Sequence, residues 1–205
     1  MGNKIVFQFE ELSYQEKAIN SVVELFRGLP KEGSEIYSGT IKKTRLDEKD
    51  PVRNKSIITG NRLLENLRKV QLENELFSDN KVENNNFTIE METGTGKTYV
   101  YLRTAIRLFK EYGFKKFIIV VPTVAIRKGV EKSIEQLREH FKRLEGIDIG
   151  KHSFIYDSDN FGKVSTNFVE SNDLSICVMN IQAFNSDNKK IRKDDEYGKI
   201  LWNDI

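Results

Sequence analysis

Apolar residues return along this chain at two different spacings. Ala18, Ile19, Val22, Val23 and Phe26 follow Ser13 at helical spacing, with Glu16 three places after that serine. The pattern predicts a helix over Ser13–Arg27, capped by Ser13 and stopped at Leu29-Pro30. Between Lys31 and Ser56 the periodicity dissolves into Lys, Asp, Glu, Gly and Ser, the texture of a long loop or insertion with little core. A second helix is predicted over Asn61–Leu76, with Leu63, Leu64, Leu67, Val70 and Leu76 on one side, and Ser78–Asn86 reads as a turn-rich connection.

Beyond it the period shortens. Phe87, Ile89 and Met91 alternate as a strand does, and a helix over Thr98–Glu111 turns Ala105, Leu108 and Phe109 inward. Phe117–Val121 is an unbroken apolar run, as expected of a parallel strand buried on both faces. A helix over Ala125–Arg143 carries Ile126, Val130, Ile134, Leu137 and Phe141 in one stripe. A short strand at Phe154–Tyr156, a strand at Leu174–Met179 and a helix start at Gln182–Phe184 complete the series. This alternation predicts an α/β fold, a parallel sheet flanked by helices with right-handed crossovers, preceded by an N-terminal helical segment.

Composition narrows the class. With 38% apolar and 31% charged residues, a packed core is expected beside at least one solvated segment. The net charge of +2, from 33 basic and 31 acidic residues, leaves nucleic-acid binding to local patches. The single cysteine, Cys177, excludes an internal disulfide, fits a reducing compartment and alternates with Ile176 and Val178 as a packing residue. With only His140 and His152 beside it, a structural zinc site is not expected, and both histidines read as ordinary surface residues. No run approaches the roughly 18 apolar residues of a membrane span, and the start lacks a signal core. A soluble, cytoplasmic protein without membrane attachment is expected.

The strongest chemical signal is Met91-Glu92-Thr93-Gly94-Thr95-Gly96-Lys97-Thr98, placed between a predicted strand and a predicted helix. Glycines at Gly94 and Gly96 allow the backbone to turn its N–H groups into one concavity, and the following helix adds its positive end. Lys97 supplies a point charge for the outer phosphates of a nucleotide, and the Thr98 hydroxyl suits Mg²⁺. The usual pattern opens on Gly, where this chain has Met91; the competing reading is a glycine-rich turn without a ligand. Leu12-Ser13-Tyr14-Gln15 with Ala18-Ile19 resembles the adenine-reading element of superfamily 2 helicases, since the Gln15 amide can donate to and accept from one base edge. An ordinary surface glutamine on an amphipathic helix is the alternative. Val120-Val121-Pro122-Thr123 followed by Val124-Ala125-Ile126-Arg127, and Ile176–Met179 followed by Asn180-Ile181-Gln182, share one shape: apolar strand, polar exit, helix start. Both resemble the elements by which such motors touch a nucleic-acid backbone, with Asn180 where Thr is usual.

Together these segments resemble the start of the Res subunit of type III restriction–modification enzymes. The resemblance rests on Phe87–Tyr101, Gly113–Pro122, Tyr14-Gln15 ahead of Ala18–Val22, and Asn180–Asn185; it covers most of residues 7–30 and 60–185. It implies a RecA-like phosphate-loop lobe, incomplete at its C-terminus, from an ATP-dependent DNA translocase that drives cleavage within a larger enzyme. The expected organisation is an adenine-reading segment at 1–30, an insertion with one helix at 31–85, and a partial motor lobe at 86–205. ATP and Mg²⁺ contacts are expected from Gln15, Glu92, Thr93, Gly94, Thr95, Gly96, Lys97, Thr98 and Tyr99, with Lys97 and Thr98 catalytic and Thr98 on the metal. Thr123, Arg127, Asn180 and Gln182 are expected to meet double-stranded DNA, and a methyltransferase (Mod) subunit is the expected protein partner. The acidic metal-and-water element, the second lobe and a nuclease constellation are not found; Asp194-Asp195-Glu196 has no apolar strand before it and reads as a solvated loop. This polypeptide is therefore expected to bind ATP without hydrolysing it. Another superfamily 2 helicase, or an ATP- or DNA-binding remnant, remains open at this point.

Overall fold

The computed structural model describes residues 9–30, 54, 58, 60–77, 82, 85–156, 168 and 171–183. Their elements are α1 (Ser13–Glu24), α2 (Gly60–Glu73), α3 (Lys97–Tyr112), β1 (Lys116–Val121), α4 (Val124–Glu145), the single turn α5 (Ile149–His152), β2 (Ser153–Ile155) and β3 (Ser175–Asn180). A 3-10 turn at Ile181–Ala183 follows β3. The stretch expected to be an insertion, Lys31–Ser56, lies outside the described residues apart from Asn54, as do Phe184, Asn185 and the acidic run at 194–196. The elements gather into two compact units, α1–α3 in one and β1–β3 with α4 and α5 in the other.

In the helical unit Gln15, Ile19 and Val23 form the buried stripe of α1, which packs on α3. The helix begins at Ser13 with Leu12 in the cap position, and no side chain caps it, so Ser13 is not the cap its sequence context predicted. The Leu12 carbonyl accepts from the Gln15 and Glu16 amides instead. On α2, Leu63 and Asn66 face inward. The Asn66 amide donates to the carbonyls of Leu25 and Arg27, at 2.9 and 3.0 Å, and satisfies the end of α1. Leu76, expected on the inner side of α2, is exposed because the helix stops at Glu73.

The second unit is built on a parallel sheet in the order β1-β3-β2, which establishes the α/β class. Ser175 to Met179 of β3 are all buried, as a central strand requires. β1 was expected to be the doubly buried strand, yet only Val121 of it is buried and Val120 is exposed. The reason is position: β1 pairs on one side only among the described strands. Asn54 brackets the start of that strand, its Oδ1 accepting from the Lys115 and Lys116 amides and its Nδ2 donating to the Lys116 carbonyl. The predicted strand at Phe87–Met91 is absent as well. Its residues join no ladder among the described strands, and Phe87 and Ile89 stand 37% and 46% exposed. Alternation alone does not make a strand; it needs a neighbour.

α4 buries Val130, Ile134, Leu137 and Phe141 as expected, while Ile126 is exposed and His140 is buried. His140 is thus no surface residue: its ring packs against Phe9 and Phe141. His152 closes α5, half-buried, with Nδ1 at 3.1 Å from the Leu174 carbonyl. Cys177 is fully buried in β3 as a packing residue, and that burial pushes its thiol up to about 12. Among the described residues no helix is long and apolar enough to cross a membrane.

Candidate nucleotide-binding site

α3 starts at the end of the glycine-rich loop. Its N-cap, Gly96, has φ +87°, and Gly94 has φ +83°, backbone values that L side chains rarely adopt. An added Cβ at Gly96 would also lie 2.5 Å from Gln15 Nε2, so the end of the Gln15 side chain would have to shift. The Gln15 amide therefore rests directly on the loop, and Nε2 donates to the Thr95 carbonyl at 2.9 Å. Gln15 is only 8% exposed, which disposes of the surface-glutamine alternative. It occupies the same stripe as Ile19 and Val23, four and eight positions on, so the periodicity that buries those two also directs Gln15 onto α3 and its loop.

The loop is also bonded to itself. The Glu92 carbonyl accepts from Lys97 Nζ at 2.6 Å and from Thr95 Oγ1 at 2.7 Å. Glu92, Thr93, Gly94 and Lys97 are exposed, and Thr95, Gly96 and Thr98 are partly so. The first-turn amides of a helix have no carbonyl partner within it, and here they open beside an exposed ammonium. Such an arrangement suits the oxygens of a polyphosphate. The Thr98 side chain hydrogen-bonds the half-buried Tyr101 phenol, whose pKa burial raises. Tyr99, expected beside the nucleotide, is buried; its hydroxyl accepts from Arg103 and its phenol is raised above the ordinary value, chiefly by burial. Only its backbone belongs to the open turn.

Sequence reasoning passed over an ionic cluster behind the loop. Arg103, with a side chain 6% exposed, meets Glu16 at 2.8 Å and Glu11 at 3.1 Å. Arg107 holds the other Glu16 oxygen at 3.2 Å and Glu111 at 2.8 Å. Its one sequence signal is a charged residue on a helix that otherwise buries Val100, Leu102, Thr104, Ala105 and Ile106.

In the sheet unit, the residues expected to meet nucleic acid come together at the C-terminal edge. Val121 and Asn180, the last residues of β1 and β3, are register partners. Thr123 caps α4 by accepting from the Ile126 amide at 3.2 Å, so its hydroxyl is already engaged. Gln182 Nε2 donates to the Pro122 carbonyl at 3.2 Å, tying the two strand exits to each other. Arg127 does not project outward: one guanidinium nitrogen donates to the Tyr156 carbonyl at 2.7 Å, beyond the end of β2. Arg127 Nε and Asn180 Oδ1 are buried without a hydrogen-bond partner, two polar atoms held back at one sheet edge.

Comparison with known proteins identifies the family. Residues 8–202 match the family described as "Type III restriction enzyme, res subunit". The chain is 28% identical over 194 residues to the StyLTI Res subunit of Salmonella typhimurium, an alignment covering 86% of this chain and 16% of that protein. It is 40% identical over 93 residues to the EcoPI Res subunit of Escherichia phage P1, covering 42% and 9% of the two chains. Against the EcoP15I Res subunit of Escherichia coli it is 42% identical over 66 residues, 31% of this chain and 7% of the other. The chain thus spans less than a fifth of the length of these curated relatives. A glycine loop opening α3, a glutamine laid across it, and a family match running nearly end to end place this chain in the type III restriction enzyme Res subunit family.

Proposed function

We propose that this chain is the ATP-binding N-terminal part of a motor subunit that translocates on double-stranded DNA and drives its cleavage within a type III restriction enzyme. The observation that carries the reading is the Gln15 amide resting on Gly96 and donating to the Thr95 carbonyl, at the mouth of a loop that carries Lys97. That contact joins the Gln15 amide and the glycine loop within one compact unit, which supports reading them as base-reading amide and phosphate-binding turn. Nε2 keeps a second N–H beside the one given to Thr95, and Oε1 can accept, so the pair suits the adenine edge. Glu92 to Tyr99 contribute loop and helix-start backbone, Lys97 neutralises the outer phosphates, and Thr98 is the side chain suited to Mg²⁺. The metal supplies charge neutralisation at the phosphates; Lys97 would leave the Glu92 carbonyl for them.

Thr123, Arg127, Asn180 and Gln182 form the proposed DNA-facing edge, and a methyltransferase subunit is the proposed partner. We further take residues 1–30, 31–85 and 86–205 as adenine-reading segment, insertion and motor-lobe portion. Because the loop holds a ground state, the 205-residue polypeptide should bind ATP with phosphate release near background, hydrolysis requiring transition-state stabilisation that the loop alone does not give. The test is displacement of a fluorescent ATP analogue by unlabelled nucleotides. ATP should displace it more strongly than GTP, and Gln15→Ala should erase most of that difference; a preference that survives the substitution contradicts the base-reading role.

A further inference from the structure

Phosphate binding does not account for Arg103. Its guanidinium is nearly buried on α3, away from the loop end, and it pairs with Glu11 and Glu16 of the segment around Gln15. Glu16 directly follows Gln15, and both its oxygens are held, one by Arg103 and one by Arg107. Glu11 lies just before α1. α1 packs on α3, and Ile19 and Val23 give α1 an apolar buried stripe without the charges. An apolar side chain in place of a buried arginine often packs as well or better. What the charges add is direction: ion pairs from one rigid helix fix the rotation and slide of another, which greasy contacts tolerate.

We propose that Arg103 is a positioning residue for base selection, clamping Glu11 and Glu16 so that α1 presents Gln15 to the Thr95 carbonyl and to the nucleotide base. The inference rests on the reading that Gln15 senses adenine. Its physical core is that an amide read by two hydrogen bonds loses discrimination when displaced by a fraction of an ångström, whereas a phosphate loop built on α3 itself does not depend on α1 in the same way. Arg103 touches neither base nor phosphate in this scheme. It acts through Glu16 and the helix that carries Gln15.

The experiment is calorimetric titration of the full 205-residue chain with Mg·ATP, Mg·GTP and Mg·tripolyphosphate. It compares the unaltered protein with Gln15→Ala, Arg103→Met, Glu16→Gln, and the charge exchange Glu16→Arg with Arg103→Glu. Arg103→Met and Glu16→Gln should lower the ATP-over-GTP preference roughly three- to tenfold, the size of one hydrogen bond, towards that of Gln15→Ala. Tripolyphosphate affinity should stay within about twofold in both, and the charge exchange should restore part of the preference. Should Arg103→Met fail to fold, Glu16→Gln makes the same comparison from the solvent side. The proposal is overturned if both variants keep the preference while Gln15→Ala erases it. It is equally overturned if all three ligands weaken together, which is the mark of a merely structural arginine. A preference that survives Gln15→Ala would remove the base-reading function itself, a distinct outcome.

Discussion

In β3 every residue from Ser175 to Met179 is buried and its neighbours are bound through backbone ladders, whereas the buried set of α1–α3 includes Gln15, Asn66 and Arg103 beside Ile19 and Leu102. The centre of the sheet unit is held by apolar burial and main-chain pairing, with polar ties such as Asn54 on Lys115 and Lys116 and Gln182 on Pro122 at the strand ends. The helical unit spends polar side chains on main-chain groups of distant segments: Gln15 on Thr95, Asn66 on Leu25 and Arg27. Such contacts add little net stability each, but they fix orientation. The difference teaches where the proposed base discrimination would sit: among the polar contacts of the helical unit, while the sheet unit has the more apolar centre.

The comparison breaks most visibly at β3. Ile176→Ala should cost about 2–5 kcal/mol, because Ile176 is fully buried and its neighbours cannot collapse around a rigid ladder. Chemical denaturation measures it, and a loss under about 1 kcal/mol would mean that the sheet is not packed around this strand. The counterpart in the helical unit is Gly96→Ala. The new methyl meets Gln15 at a backbone conformation that alanine resists, a strain of roughly 1–3 kcal/mol. Nucleotide affinity should fall about tenfold as the loop or Gln15 gives way. An alanine variant binding ATP normally would show that Gln15 does not rest on the loop.

The edge of the sheet unit sharpens the contrast. Gln182→Ala should weaken DNA binding about two- to tenfold, in line with one lost hydrogen bond and a loosened Pro122 exit. With a net charge of +2, that binding should be weak and should fall steeply with salt as counterions are released. A mobility-shift series insensitive to salt would contradict it. The smallest effect concerns Lys116, whose ammonium is turned onto the Phe168 and Ser171 carbonyls. Burial and the neighbouring Lys115 lower its pKa to about 8. The unfolded lysine stays protonated to about 10.5, so folding releases a proton between these values, and stability should rise with pH across that window. After allowance for solvent screening the gain is about 1 kcal/mol, and it should be missing from Lys116→Met in urea titrations at pH 8 and 10.

Much of this is legible in the sequence. Helical spacing located α1 to α4 to within a few residues, and the apolar runs located β1 and β3, because those elements are selected by local periodicity. Gly94, Gly96 and Lys97 announced the loop for the same reason: the turn demands those residues within a few positions. What was misjudged depends on partners far along the chain. Phe87–Met91 alternates properly and still makes no ladder among the described strands, and β1 is apolar from Phe117 to Val121 yet lies at an edge of the described sheet. The charged residues around His140 point it to the surface, but the stripe of α4 is wide enough to bury it beside Phe141. Asn54 and Arg103 were passed over entirely. Asn54 acts on residues 61 and 62 positions away, and Arg103 pairs with Glu16 across 87, distances over which no local pattern encodes a contact.

The most direct measurement is calorimetric titration of Mg·ATP into the unaltered chain and into Lys97→Ala. Among the described residues Lys97 bonds the Glu92 carbonyl and is exposed, so its removal should leave the fold intact. Loss of its charge-assisted contacts, about 1.5–3 kcal/mol, should weaken ATP roughly ten- to a hundredfold. Saturable binding by the unaltered chain with that loss in the variant is the expected result; equal affinity in the two proteins would contradict nucleotide binding at this loop.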